Sequence, residues 1–205
     1  MRLSAKQIIF IKLLAHSLGI FPLAYLFMNV LNGHAGGDPV QYIIHFTGMG
    51  AINSLILTLT ISPLAKFCKL SGLLRIRRLV GLYTFAYASL HVLAFLSLDL
   101  LFAWSLFMDE IVKRPYILLG LLAYILLMAL ALTSLVFIQR KMRHRWQQLH
   151  NWIYVIAILV PIHFYWSVKS EIIEPSLYLL GLFFLLCLRY KKFNRLSIKK
   201  SDSLH

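Results

Sequence analysis

The sequence predicts an all-α integral membrane protein, a bundle of six transmembrane helices with both termini in the cytoplasm. Three observations carry that expectation. The 205 residues are 60% hydrophobic, with a mean hydropathy of +0.77, and only 14% are charged; soluble domains carry about a quarter charged residues. Charge-free or nearly charge-free runs cover 13–37, 39–65, 79–98, 115–139, 146–168 and 175–188. The basic residues gather in alternate loops.

A span needs about 20 apolar residues, and the first five runs supply them. They place helices at approximately 8–31, 43–65, 79–100, 116–138 and 147–168. The first run is longer than a signal-peptide core, and Lys12 falls inside it, so it reads as a retained helix. The sixth run is short. Ile172 and Ile173 extend it at one end and Arg189 can snorkel at the other, which gives a helix over 173–190. Residues 191–205 then form a basic cytoplasmic tail suited to anionic headgroups. Residues 1–205 thus read as a single transmembrane domain, with no room inside it for a soluble catalytic domain.

Charge sets the orientation. Arg2 and Lys6 precede the first helix; Lys66, Lys69, Arg75, Arg77 and Arg78 fill the second loop; Arg140, Lys141, Arg143 and Arg145 fill the fourth. With Arg189 at the end of the last helix and five more after it, these segments hold 17 of the 21 Lys and Arg. Asp38, Asp99, Asp109, Glu110, Glu171 and Glu174 lie in the opposite loops, beside only Lys113, Arg114 and Lys169. The positive-inside rule places the basic side in the cytoplasm. The net charge of +14 is therefore topology, and no nucleic-acid partner is expected. Cys68 and Cys187 both lie toward the basic side and form neither a CxxC pair nor an expected disulfide. There is no Walker A sequence and no G-x-G-x-x-G after a strand, so electrons, if the chain moves them, come from another molecule.

Depth separates the eight histidines. His34, His144 and His205 belong to loops and the chain end. His45 starts the second helix, where interfacial water satisfies it, and His16 lies within the first, where a bond to a neighbouring helix is the plain explanation. His91, His150 and His163 differ. His91 lies 13 residues past Arg78, about 20 Å along a helix, and His163 lies 18 past Arg145, about 27 Å before the kink and tilt that Pro161 introduces. The two therefore reach similar depths in the outer half of the bilayer. Imidazole is the commonest protein metal ligand, and two converging from different helices suit the axial positions of a haem iron. Interhelical hydrogen bonding is the alternative, though it offers only about 0.6–2 kcal/mol. His150 lies near the cytoplasmic face, 13 residues before His163. A second redox station or simple hydration at the interface would each account for it. The surrounding aromatics, among them Trp146, Trp152, Tyr154, Tyr165, Trp166, Phe85 and Tyr87, suit belt and packing roles.

The segments DPVQYIIHFTG (38–48), RIRRLVGLYTFAYASLH (75–91), KRPYILLG (113–120) and WQQLHNWIYVIAILVPIHFYW (146–166) together resemble the MsrQ family, also called YedZ. The likeness spans nearly the whole chain and, more distantly, extends to the ferric reductase-like transmembrane superfamily. It implies a membrane cytochrome b of the bacterial inner membrane, carrying one or two b-type haems on His91, His150 and His163, and an FMN. It also implies an electron wire. Electrons would come from the quinone pool or a cytoplasmic flavin reductase and pass to a periplasmic, molybdopterin-containing methionine sulfoxide reductase subunit that forms a heterodimer with this chain. Catalysis would belong to that partner. Where the superfamily has paired histidines on both helices, this chain has Arg77 and Arg78, 14 and 13 residues before His91. Two arginines beside His150 suit an anionic group, a haem propionate or the FMN phosphate; membrane lipid headgroups are the other candidate. Two rival functions remain in view: a transmembrane metal-ion (ferric) reductase acting at its own outer haem, and a small transporter or assembly factor without redox chemistry.

Overall fold

The computed structural model describes residues 4–168 and 171–189, so the basic tail over 191–205, with His205, lies outside the described residues. Within them the regular structure is entirely helical. Helix α1 (Ala5–Leu31) opens on a capping box, in which Ser4 and Gln7 exchange side-chain and backbone bonds. Helix α2 (Pro39–Phe67) starts at a proline whose missing N–H is not needed there, and Asp38 caps it by accepting from Gln41 N at 3.0 Å. A short 3₁₀ turn over Ser71–Arg75 leads into α3 (Arg77–Ala94), which ends in a π-helical turn over Phe95–Asp99.

Next comes α4 (Trp104–Lys113), within a stretch that the sequence marks only as a loop. Trp104, Phe107, Met108, Ile111 and Val112 fall on one face and Ser105, Asp109 and Lys113 on the other, the pattern of a helix lying along a membrane surface. Its end is fixed by an ion pair between Arg114 and Glu110 at 2.8 Å.

Helix α5 (Pro115–Leu132) stops short of the 116–138 expected from hydropathy. The hydroxyl of Thr133 turns back to Ala129 O at 2.7 Å, and α6 (Val136–Met142) begins only after Leu135. The fifth predicted span is also divided. Helix α7 (His144–His150) and α8 (Ile153–Ser167) meet at Asn151, which accepts from the Gln147 amide at 3.0 Å. Helix α9 (Ile173–Cys187) closes the described bundle.

Five helical stretches are long and apolar enough to cross a membrane: Ala5–Leu31, Pro39–Phe67, Ser71–Asp99, Pro115–Leu132 and His144–Ser167. With 15 residues, α9 reaches about 22 Å, short of a hydrocarbon core about 30 Å thick. The closest pairs are α2 with α3 and α5 with α8. Ile52, Leu55, Leu59, Ala123, Leu127, Leu130, Ile156, Ala157, Leu182 and Leu185 make one buried cluster from α2, α5, α8 and α9. Helix α1 stands outside it. Only Ile8 and Leu26 of α1 are buried, and Leu13, Leu18, Phe21 and Phe27 face outward, as lipid contact requires.

Candidate functional site

His91 on α3 and His163 on α8 come together. Their ring centres are 6.2 Å apart and the planes cross at 86°. Each ring is held from behind. His91 Nδ1 lies 2.9 Å from Ile44 O on α2, and His163 Nδ1 lies 2.7 Å from Tyr116 O on α5. A carbonyl only accepts, so each Nδ1 carries the proton and each Nε2 keeps its lone pair. That is how a metal-binding imidazole is oriented from its outer side. Two imidazoles gripping one metal at about 2.0–2.1 Å would stand with ring centres roughly 6–6.5 Å apart, which matches the pair.

Glycine makes room for both rings. A Cβ on Gly120 would meet His163 Cε1 at 2.7 Å and Nδ1 at 2.8 Å; one on Gly48 would meet His91 Nδ1 at 3.1 Å and Cε1 at 3.2 Å. In each case the glycine lies one turn after the carbonyl that the ring engages. The two sets are offset by 72 residues throughout: 44 to 116, 48 to 120 and 91 to 163. Among the described residues no three His, Cys, Asp or Glu gather as a metal site. The pair therefore offers two nitrogens and suits a metal whose other positions are filled by a macrocycle, as in haem.

His150 stands elsewhere, at the end of the bundle where α3 begins. With Arg77, Arg78 and Arg189 it lines a cavity of about 250 Å³ between α2, α3, α5, α7 and α8. Trp146 stacks on His150 with centres 3.9 Å apart and planes 28° apart, and its indole N–H donates to Thr133 O at 2.9 Å. Thr133 Oγ1 spends its proton on Ala129 O, so it accepts from His150 Nε2 at 3.3 Å. His150 thus keeps Nδ1 as its free nitrogen, unlike His91 and His163. The 72-residue offset holds here too, but with a different side chain, because Arg78 answers to His150.

The remaining histidines sit apart from both places. His16 Nδ1 lies 2.8 Å from the Tyr83 hydroxyl, an interhelical bond between α1 and α3. His45 faces Phe164 at 6.2 Å, and His34 and His144 are exposed. Of the aromatics, Phe85 stacks with Tyr124 and Tyr87 is buried with its hydroxyl on Gly19 O, while Trp152 and Trp166 are exposed. Sequence reasoning passed over Gly48, Gly120 and Arg189. The two glycines closed motifs already singled out, DPVQYIIHFTG and KRPYILLG, and that shared position was the available signal.

Residues 47–161 match the family model described as "Ferric reductase like transmembrane component". Relatives from Salmonella arizonae, Salmonella paratyphi B and Salmonella heidelberg are each 45% identical over 196 residues, which is 95% of this chain and 98% of theirs. Each is named as the protein-methionine-sulfoxide reductase heme-binding subunit MsrQ. No solved structure matches. An opposed pair of carbonyl-anchored histidines, inside a helical membrane chain with full-length likeness of this degree, leads to one conclusion: the chain belongs to the MsrQ family, among the ferric reductase-like transmembrane proteins.

Proposed function

We propose that the chain is a six-span cytochrome b of the bacterial inner membrane, with both termini cytoplasmic. On this reading it conducts electrons outward to a periplasmic, molybdenum-containing methionine sulfoxide reductase subunit. The observation that carries it is the facing pair His91 and His163, each with Nδ1 tied to a backbone carbonyl and Nε2 left free. Haem iron, when bound, supplies one-electron exchange. The chain's own contribution is position: two imidazoles fixed in one tautomer, held by glycine-lined helices, inside a water-poor bundle. His91 and His163 would hold the haem iron, and substrate chemistry at the metal would then have little room. His150, with Arg77 and Arg78, would form the inward station, where a second haem or an FMN receives electrons from the quinone pool or a cytoplasmic flavin reductase.

The visible spectrum of the purified chain tests this directly. Reduced b-type bands should be present, and His91→Ala or His163→Ala should remove at least about nine-tenths of the outer haem. A colourless, folded wild-type protein would end the proposal and favour a transporter or assembly role. The family match keeps a ferric reductase in contention. Reoxidation of the reduced protein by ferric chelates faster than by its periplasmic partner would decide for that second activity.

A further inference from the structure

Pro63 lies inside α2, where it has no N–H to give. The carbonyl four residues earlier, that of Leu59, therefore loses its helical donor in a fully buried position. A guanidinium nitrogen of Arg189, just beyond α9, donates to that carbonyl. One residue before the proline, the Ser62 hydroxyl accepts from Arg77 at 3.1 Å. A single disturbed turn of α2 thus seats two arginines from two other helices.

Both arginines line the cavity that also holds Arg78 and His150. Arg189 stands 5.9 Å over the ring of Tyr154, and its Nε is buried without a hydrogen-bond partner. Among the described residues no carboxylate lines that cavity, and the Arg114–Glu110 pair belongs to α4. Arg77 and Arg189 are partly buried and Arg78 is exposed at the cavity's edge, so with no counter-charge among the described residues the guanidinium groups repel one another. A bound anion would relieve that repulsion.

We propose that Arg77, Arg78 and Arg189 form a three-armed clamp for one anionic group, a phosphate or paired carboxylates, on the molecule bound beside His150. The third arm comes from the end of α9. This rests on the reading above that the His150 end holds a ligand. A haem propionate, a flavin phosphate and a phospholipid headgroup share the required chemistry.

The experiment purifies the full chain as wild type, Arg189→Gln, Arg189→Lys and Pro63→Ala in one detergent. Haem, flavin and anionic phospholipid per chain are measured for each. Arg189→Gln should lower one of the three about tenfold, and Arg189→Lys should lower the same one less. Pro63→Ala gives α2 back an N–H for Leu59 O and unseats Arg189 without removing charge, so it should lower that ligand about threefold. The ligand that falls names the source: haem for propionate, flavin for its phosphate, phospholipid for a headgroup. Wild-type levels of all three in folded Arg189→Gln would overturn the clamp. Should that variant fail to fold, unchanged retention in Pro63→Ala overturns it instead. Failure of the functional reading looks different, because wild type itself would then lack haem. In that case the flavin and anionic phospholipid carried by wild type and Arg189→Gln still decide the clamp: equal levels of both in the two proteins overturn it.

Discussion

At the scale of single residues, the outer site depends on two glycines as much as on two histidines. Alanine at position 120 would put a methyl 2.7 Å from His163, whereas alanine at 48 comes no nearer to His91 than 3.1 Å. Crowding of this kind costs about 1–3 kcal/mol. Gly120→Ala is therefore expected to lower haem retention and melting temperature more than Gly48→Ala, as absorbance and thermal unfolding of the two purified variants would show. Equal effects would mean that the rings do not lie against the helices as described. That His91 and His163 lie at one level could be read from their depth in the spans. Their partners could not. A carbonyl acceptor belongs to every residue and leaves no mark in the sequence, so nothing there distinguished Ile44 or Tyr116.

Among the elements, hydropathy located spans well and interruptions poorly. It counts side-chain polarity, and Thr133 and Ser134 are too mild to register, although the Thr133 hydroxyl helps to end α5 by bonding back onto it. Helix α4 escaped for the opposite reason. Its Asp109 and Glu110 marked the stretch as an aqueous loop, and only the 3.6-residue period separates it into two faces. The link between α6 and α7 holds a testable strain. Arg143 adopts a φ of +48°, a conformation that glycine enters freely and other residues do not. Arg143→Gly is expected to raise stability by about 1 kcal/mol in chemical denaturation. A loss of stability would show that the Arg143 side chain contributes more than its backbone costs.

For the whole molecule, the uneven distribution of lysine and arginine is the observation with the longest reach. It supports a cytoplasmic side at the loops that carry Arg75–Arg78 and Arg140–Arg145. In a chain with Cys187 replaced by serine, Cys68, which is exposed beyond the end of α2, should react with an impermeant thiol reagent only after cells are opened. In a chain without either native cysteine, Gly36→Cys should react in intact cells. The reverse pattern would invert the proposed direction of electron flow. The helical membrane bundle could be expected from composition, because solvation acts on whole helices. The arginine-lined cavity could not, since Arg189 joins it from beyond α9, more than a hundred residues from Arg77 in the chain.

The 72-residue offset has a consequence of its own. The α2–α3 and α5–α8 pairs present one arrangement twice, a carbonyl and a glycine one turn apart behind a histidine ring. At the level of His91 and His163 the two pairs agree. Further along they differ, with Arg78 in one and His150 in the other. One grip used twice at one level and varied at the next is enough to give matching halves a front and a back.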